Sequence, residues 1–264
     1  MPLAHVICVM VRRGQTAAAT HRTGPLTTLQ FDRTLPTRRR WRAPRLVPYR
    51  PTPLEGSRRL LNIAVAGAGL LLAAPVMLVI AALVKLTSRG PIFFTQTRVG
   101  LDRRGVARID QPGRRWLDGG GKPFTIFKFR TMHGNGAGGV AVWARRDDPR
   151  VTGVGRLLRQ YRLDELPQLL NVIRGDMNVV GPRPEQPAIF ADLRHRIEGY
   201  ERRQRVRPGI TGWAQIHQSY DRSIEDVRRK VKFDLEYLER QSLAVDLKIM
   251  LRTVPVMLLR RGAW

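Results

Sequence analysis

The most constraining feature of the sequence is an uncharged run from Leu60 to Val84. It contains 25 residues, and Asn62 is its only strongly polar side chain. As a straight helix the run would be roughly 37 Å long, which exceeds the ~30 Å hydrocarbon core of a bilayer. A buried helix of a soluble domain is rarely so long and so uniformly apolar. The run therefore predicts a helix inserted in a membrane.

The sequence leaves two ways for this helix to lie in the bilayer. Pro75 lies inside the run and removes one helical hydrogen bond, which predicts a bend. Both flanks are basic, with Arg58 and Arg59 before the run and Lys85 and Arg89 after it, whereas a crossing helix usually has one basic flank. These features favour a re-entrant helix that bends at Pro75 and returns to the same face, and an ordinary kinked span is the alternative.

The charge of the chain indicates anionic partners. Of its 264 residues, 47 are Lys or Arg and 21 are Asp or Glu, which gives a formal net charge of +26. This field suits nucleic acid, anionic lipid or phosphorylated substrates, although an excess of Arg over Lys is equally typical of a GC-rich genome. The hydrophobic content of 43% excludes a wholly disordered chain. A single cysteine and five scattered histidines argue against disulfides and a Cys- or His-built metal site.

The first 57 residues are expected to form a basic, disordered tail. Residues 1–59 hold 12 arginines, seven prolines and two acids, with no sustained apolar periodicity. Their composition resembles that of an organelle transit peptide, and the segment lacks the apolar core of a secretory signal. The predicted organisation is a tail over residues 1–57, a membrane helix over 58–88 and a globular domain over 89–264.

The globular domain is predicted to be α+β and mainly helical. Two aromatic and β-branched runs, 91–99 and 123–132, predict a β-hairpin with a long connection. Apolar residues at helical spacing predict helices over residues 154–161 and 166–173, and residues 185–205 and 224–238 are predicted to be charged surface helices. A fifth helix is predicted over residues 243–259. The last is amphipathic, with Asp246 and Lys248 on its polar face, and could lie at a membrane interface or pack on the core. Residues 134–139 (GNGAGG) fit a flexible loop better than a phosphate loop, since no Gly-Lys-Ser/Thr follows.

Two adjacent carboxylates, Asp164 and Glu165, are the first candidates for chemistry. They follow three arginines, at positions 156, 159 and 162, and precede an apolar helix with Pro167 in its first turn. The helix dipole and the arginines would favour the ionised form of both acids, so that the Asp could act as a nucleophile and the Glu could hold a divalent metal. The alternative is structural, with Asp164 capping the helix and pairing with arginine.

Two rigid Gly/Pro frames follow the carboxylates. The first, residues 181–185 (GPRPE), fixes the direction of Arg183, which suits a phosphate clamp. Its alternative is a tight turn before a helix. The second, residues 207–213 (RPGITGW), predicts a defined turn packed on the core.

Together these segments resemble the bacterial sugar transferases, also called monotopic phosphoglycosyl transferases. The resemblance rests on five blocks in order: GPIFFTQTRVG, KPFTIFKFRTM, RQYRLDELPQLLNVIRGDMNVVGPRPE, RPGITGWAQI and SLAVDLKIMLRTV. It extends from about Arg58 to Val256. Residues 105–121 look like an insertion in the hairpin connection. Without a counterpart of the large members' extra domain, the chain resembles a minimal form consisting of the catalytic module.

The resemblance implies transfer of a phospho-sugar from a UDP-sugar to undecaprenyl (polyprenyl) phosphate with release of UMP. This is the initiating step of exopolysaccharide, capsule, O-antigen or glycoprotein glycan assembly. Asp164 would be the nucleophile that forms a phosphoryl-aspartate, and Glu165 would help to hold Mg²⁺. The residues implied in substrate binding are Arg159, Arg183, Lys128 and Arg130.

The resemblance also implies a location. The membrane helix of this family is re-entrant and broken near a proline, which Pro75 matches, although many members have Ser-Pro where this chain has Ala74-Pro75. The expected site is the cytoplasmic face of the bacterial inner membrane, with anionic lipids as further partners. The identity of the transferred sugar is left open, and so is the formation of a homodimer.

Two other functions fit parts of the sequence. A membrane-tethered nucleic-acid-binding protein would explain the charge, but the aromatic residues lie in strand-like and turn contexts rather than along a basic groove. A degenerate family member acting as a scaffold would not need an intact Asp164, Glu165 and Arg183. The apolar run and the carboxylate pair therefore favour lipid and phosphorylated substrates over nucleic acid.

Overall fold

The computed structural model describes residues 55–103, 120–133, 148–218, 221 and 223–258. Nearly all of the expected tail, most of the expected insertion at 105–121 and the glycine loop at 134–139 lie outside the described residues. The described part is mainly helical with two small sheets, which agrees with the predicted α+β class. Its elements are α1 (Glu55–Thr87), β1 (Phe93–Val99), β2 (Pro123–Phe129), α2 (Gly153–Gln160), α3 (Gln168–Arg174), β3 (Asn178–Val180), α4 (Pro187–Arg196), β4 (Gly209–Thr211), α5 (Trp213–His217), α6 (Ile224–Arg240) and α7 (Leu243–Leu258).

The longest element is α1, which spans 33 residues and contains Pro75. Within the described residues it is the one helix long and apolar enough to cross a membrane. Most of its apolar side chains are exposed, and Leu71 and Leu72 are each 78% exposed. The buried residues of α1 are Arg58, Asn62, Ala66, Ile80 and Val84. Such extensive apolar exposure is expected of a helix that contacts lipid.

Both ends of α1 are fixed to the globular domain. Near its start, the buried Arg58 donates from Nε to Asp246 of α7 at 2.9 Å, and Asn62 accepts a backbone hydrogen bond from β3. Near its end, Arg130 follows β2 and donates from Nη2 to the carbonyl and hydroxyl oxygens of Ser88, at 2.7 and 2.8 Å. The polar side chain inside the apolar run therefore anchors the helix to the domain.

The predicted β-hairpin is confirmed. β1 pairs with β2 in antiparallel register, from Phe93 opposite Phe129 to Val99 opposite Pro123. Alternate side chains of β2, Phe124 and Ile126, point into the main hydrophobic core with residues of α3, β3 and α7. The hairpin therefore packs directly against the turn that carries the two carboxylates.

One predicted helix is wrong in its extent, and one sheet was missed. In place of a helix over 185–205, α4 ends at Arg196 and a separate 3₁₀ turn covers Tyr200–Arg205. The helix ends where Ile197 adopts an extended conformation, and the chain then turns at Gly199, whose left-handed φ of 73° glycine reaches without steric cost. The parallel pairing of β3 with β4 was not predicted, since strands of three residues carry almost no periodic signal.

α7 combines the two alternatives considered for it. It packs on the core through the fully buried Ile249, and it exposes Leu251 to 64%. The prediction that Asp246 lies on a polar face is wrong, because this carboxylate is buried, pairs with Arg58 and accepts a hydrogen bond from the Tyr237 hydroxyl at 2.7 Å. Its partner lies 188 residues earlier in the chain, beyond the reach of helical periodicity.

Candidate active site

The two carboxylates lie in a short 3₁₀ turn, Leu163–Glu165, between α2 and α3. Both side chains are buried. Arg162 precedes the turn with a φ of 56°, the only positive φ of a non-glycine residue in the described part of the chain. Strain of this kind costs of order 1–3 kcal/mol and concentrates at functional sites. Pro167 occupies the N-cap of α3 without a side-chain cap, so the structural alternative of a capping Asp164 is wrong.

Glu165 is held by two cations. Lys128 of β2 donates from Nζ to Oε1 at 2.8 Å, and Arg183 donates from Nη2 to Oε1 at 2.5 Å and from Nη1 to Oε2 at 3.3 Å. Burial alone would raise the pKa of Glu165, but Arg183 and Lys128 outweigh it and hold the pKa well below its usual range. The structure thus brings three residues of the predicted site into direct contact, with Glu165 ionised.

Asp164 behaves differently from its neighbour. Burial, reinforced by the charge of Glu165, raises the pKa of Asp164 to about 6, although Lys128, Arg159 and Arg183 pull it down. The expectation that the local field favours ionisation of both acids is therefore wrong for Asp164, since desolvation outweighs the cations. Neighbouring carboxylates with separated pKa values are the usual arrangement for assigning two chemical roles to one pair.

The remaining predicted residues divide between the site and the membrane helix. Arg159 of α2 donates from Nε to the Thr131 hydroxyl at 2.9 Å, and its charge acts on Asp164. Arg130 is bound to the end of α1 through Ser88, and its Nε and Nη1 are buried with no hydrogen-bond partner among the described residues. The structure therefore places Arg159 beside the carboxylates and Arg130 at the junction with α1.

The segment that carries Arg183 is held by a second group of buried charges. Arg203 donates from Nη2 to the Arg183 carbonyl at 3.2 Å and from Nε to Asp234 of α6 at 2.6 Å. Glu185 pairs with Lys230 of α6 at 2.8 Å. These contacts fix the backbone on both sides of Pro184, and so they set the direction of the Arg183 guanidinium.

Sequence reasoning missed these supporting residues. Arg203, Lys230 and Asp234 lie in segments predicted as charged surface helices, and nothing marks a buried arginine among the other arginines of ERRQR. Arg98 was also missed, although it lies in the GPIFFTQTRVG block. It donates from Nη1 to the Pro184 carbonyl at 3.3 Å. The one available signal was that Arg98 is a charged residue at an alternating position of a predicted strand.

Removing the carboxylate of Asp234 leaves the buried Arg203 without its short ion pair at 2.6 Å, and only the longer contact with Glu185 at 4.0 Å remains. We expect Asp234→Ala to lower the free energy of unfolding by about 3–5 kcal/mol, measured by denaturant unfolding in detergent. The matched control is Asp192→Ala, whose more exposed pair with Arg196 contributes at most about 0.5 kcal/mol. Equal loss of stability in the two variants would contradict a supporting role for the buried pair.

The carboxylates also define where a divalent metal could bind. No group of three or more His, Cys, Asp or Glu suited to a metal occurs in the described ranges. Mg²⁺ nevertheless commonly binds one or two carboxylates and completes its shell with water and substrate phosphates. Asp164 and Glu165 supply that donor set, so the residues present fit Mg²⁺ bound together with a phosphorylated substrate.

The site as a whole is built for phosphate chemistry. A buried carboxylate with a pKa near neutrality lies beside an ionised one, and Lys128, Arg159 and Arg183 supply positive charge around them. Arginine and lysine in this arrangement bind and neutralise phosphate oxygens. Among the described residues Asp164 forms no salt bridge, whereas Glu165 is paired with Lys128 and Arg183, so Asp164 is the carboxylate of the pair that is available to act as a nucleophile.

Comparison with known proteins agrees with this chemistry. The family described as "Bacterial sugar transferase" matches residues 55–260. A UDP-glucose:undecaprenyl-phosphate glucose-1-phosphate transferase of Escherichia coli K12 is 43% identical over 215 residues, covering 79% of this chain and 42% of the relative. The enzyme of the same name from Caulobacter vibrioides is 42% identical over 209 residues, covering 78% and 72%.

A third relative differs in its sugar. The UDP-N-acetylgalactosamine-undecaprenyl-phosphate N-acetylgalactosaminephosphotransferase of Aeromonas hydrophila is 38% identical over 214 residues, covering 81% of this chain and 46% of the relative. The chain thus spans less than half the length of two of these relatives, and its matched region contains every described residue of the carboxylate site.

Proposed function

This chain belongs to the bacterial sugar transferase family, and from that premise we propose that it transfers a sugar phosphate from a UDP-sugar to undecaprenyl phosphate and releases UMP. The observation that carries the proposal is the buried Asp164–Glu165 pair with Lys128 and Arg183 bound to Glu165. Relatives at about 40% identity act on UDP-glucose or UDP-N-acetylgalactosamine and undecaprenyl phosphate. The reaction would initiate assembly of a surface polysaccharide or glycan.

In the first step, Asp164 acts as the nucleophile. A carboxylate oxygen attacks the phosphorus that bears the sugar, a P–O bond to Asp164 forms, and the P–O bond to UMP breaks with its electron pair leaving on UMP. Arg183 and Arg159 offset the charge of the diphosphate. A divalent cation, when bound by Asp164 or Glu165 with the substrate, supplies further charge neutralisation.

In the second step, the same phosphorus is transferred to the lipid. A phosphate oxygen of undecaprenyl phosphate attacks it, and the P–O bond to Asp164 breaks and regenerates the carboxylate. Glu165 stays ionised throughout because Arg183 and Lys128 depress its pKa. One carboxylate can thus serve a water-soluble donor and then a lipid acceptor in turn.

The proposal is tested by release of UMP in nanodiscs. Purified full-length protein with undecaprenyl phosphate and Mg²⁺ should release UMP from at least one member of a UDP-sugar panel that includes UDP-glucose and UDP-N-acetylgalactosamine. EDTA should abolish the release, and excess Mg²⁺ should restore it. Failure of every UDP-sugar in protein shown to be folded would overturn the proposed reaction.

We also propose that α1 is re-entrant and that the protein is monotopic on the cytoplasmic face. The support is that α1 contacts the same domain at both ends, through Arg58 with Asp246 and through Ser88 with Arg130. Arg130 also donates to the carbonyl of Val84 at 3.3 Å. In a straight helix Arg58 and Val84 would be about 39 Å apart, so a helix that crossed the bilayer would carry one of these contacts away from the domain. A bend at Pro75 within the bilayer satisfies both.

The topology predicts the accessibility of the two chain ends. Cys8 is the only cysteine and lies before α1, so it reports on one side of the helix. A Cys8→Ser variant with a cysteine appended at the C-terminus reports on the other. In spheroplasts of an expressing bacterium, a membrane-impermeant maleimide should label neither thiol until the membrane is permeabilised. Labelling at one end alone in intact spheroplasts would mean that α1 crosses the bilayer.

The reaction should depend on the ionisation of Asp164. A protonated carboxyl is a poor nucleophile, so the burst of UMP without acceptor should slow as pH falls through about 6, the pKa of Asp164 in the free protein. Glu165 stays ionised in this range, and a UDP-sugar has no group that titrates there. The measurement is a pH profile of the burst rate at limiting UDP-sugar, which reports ionisation in the free protein, between about pH 5 and 8. A flat profile would contradict Asp164 as the nucleophile.

A further inference from the structure

A cavity of about 180 Å³ opens beside the carboxylate turn. Glu165 and Arg162 line it, so it is continuous with the site described above. The rest of its lining is largely apolar and comes from α3, α5, α7 and the segments beside them. The apolar lining residues are Leu166, Leu169, Ile210, Ile216, Val256 and Met257.

Three polar side chains, those of Thr211, Gln215 and Thr253, line the apolar part of the cavity, and among the described residues Oε1 of Gln215 is their one buried atom without a hydrogen-bond partner. Thr253 donates from its hydroxyl to the Ile249 carbonyl at 2.8 Å, so in its 2.7 Å contact with Thr211 the latter hydroxyl is the donor. Gln215 donates from Nε2 to the Ile210 carbonyl at 2.8 Å. A single unpaired acceptor cannot satisfy the several hydroxyl groups of a sugar, so a sugar entering this part would leave most of them without partners, which is costly. The lining favours a hydrocarbon ligand.

The walls of the cavity are formed by helices that also face outward with apolar side chains. On α3, Leu170 is exposed beside the lining residue Leu169, and on α7, Val254 is exposed beside the lining residue Thr253. These outward side chains are of the kind that contact a bilayer. The outer surfaces of α3 and α7 near the cavity therefore suit contact with hydrocarbon.

We propose that this cavity holds the first isoprenoid unit of the lipid acceptor, with its phosphate beside Arg162 and the carboxylate turn. The assignment rests on the proposed function for the identity of the acceptor. An apolar cavity of about 150 Å³ accommodates benzene, so the volume suits a branched unit of five carbons. An anionic group attached to an apolar chain matches a cavity with Arg162 in its lining and hydrocarbon walls.

Filling the cavity should affect the acceptor alone. We expect Val256→Trp and Ile216→Trp to raise the KM for undecaprenyl phosphate at least about tenfold, a difference of about 1.4 kcal/mol in binding. The KM for the UDP-sugar and the UMP burst without acceptor should be unchanged. Leu247→Trp, at an exposed position of α7 outside the cavity lining, is the matched control and should leave all three values unchanged.

A second measurement on the unaltered protein removes dependence on the folding of the variants. A short prenyl phosphate with a diazirine on its first isoprenoid unit, irradiated with full-length protein in nanodiscs, should label peptides of α3 and α7. Undecaprenyl phosphate should compete, and UDP-sugar should not. Labelling confined to α1, or competition by UDP-sugar alone, would overturn the assignment, as would variants that raise only the KM for UDP-sugar.

The experiment separates the two proposals. A UMP burst with normal acceptor KM in both filled variants would overturn the cavity assignment and leave the transferase intact. Absence of UMP release from every UDP-sugar would overturn the transferase, whereas competed labelling of α3 and α7 would still support a prenyl phosphate site.

Discussion

Replacing Asp164 with Asn should reduce UMP release by at least about 10⁴-fold, because the amide keeps the shape of the side chain but cannot form the bond to phosphorus. Losses of this size are typical when a nucleophile that forms a covalent intermediate is removed. UMP release should be measured both as a burst without acceptor and in steady state with undecaprenyl phosphate. Both should fall together, since both steps pass through the same residue.

The stability of this variant distinguishes chemistry from misfolding. Burial raises the pKa of Asp164 to about 6, above its usual value, so the ionised carboxylate at pH 7.5 disfavours the folded state. The neutral Asn variant should therefore unfold at a temperature no lower than that of the unaltered protein. Asp192→Asn, at a partly exposed helical ion pair, should keep full activity. Near-normal UMP release by Asp164→Asn would contradict the nucleophile.

Replacing Arg183 with Ala should lower kcat/KM for the UDP-sugar by about 10² to 10³-fold. Its guanidinium is bound to Glu165 at 2.5 Å, and loss of one preorganised donor to a developing phosphate charge usually costs this much. Arg183→Lys should recover part of the loss, because a single ammonium replaces the charge but not the two-pronged geometry. Steady-state kinetics on the UDP-sugar provide the measurement.

A second consequence of Arg183→Ala concerns Glu165. Arg183 is a main cause of the depressed pKa of Glu165, together with Lys128, so its removal should raise that pKa. The loss of activity at low pH should then begin at a higher pH than in the unaltered protein. Arg196→Ala removes an arginine from a surface pair on α4 and serves as the matched control. Equal activity of the two Ala variants would contradict a substrate-binding role for Arg183.

The elements with strong local signals could be predicted from the sequence. The apolar run gives α1, the two aromatic runs give the hairpin, and helical spacing gives α6 and α7 close to their observed bounds. What failed depends on contacts between distant segments. Asp246 was assigned to a polar face because periodicity carries no information about Arg58 on α1. The end of α4 depends on the backbone conformations of Ile197 and Gly199, which no periodic pattern encodes.

The site likewise contains residues that the sequence indicates and properties that depend on contacts between distant segments. The resemblance and the spacing pointed to Glu165, Lys128 and Arg183, which the structure brings into contact. The elevated pKa of Asp164 could not be predicted, because desolvation depends on everything packed around the turn. The support from Arg203 and Asp234 was equally hidden, since a buried charge pair looks like any surface pair in the sequence.

The central claim, a phosphoryl-aspartate at Asp164, is tested most directly by mass spectrometry of the protein after incubation with Mg²⁺ and the UDP-sugar it uses, without acceptor. The account predicts one added sugar phosphate per chain, located on the peptide that contains Asp164, absent from Asp164→Asn and removed by undecaprenyl phosphate. An adduct on another residue, or steady turnover by a protein that carries no adduct under any quench condition, would contradict it.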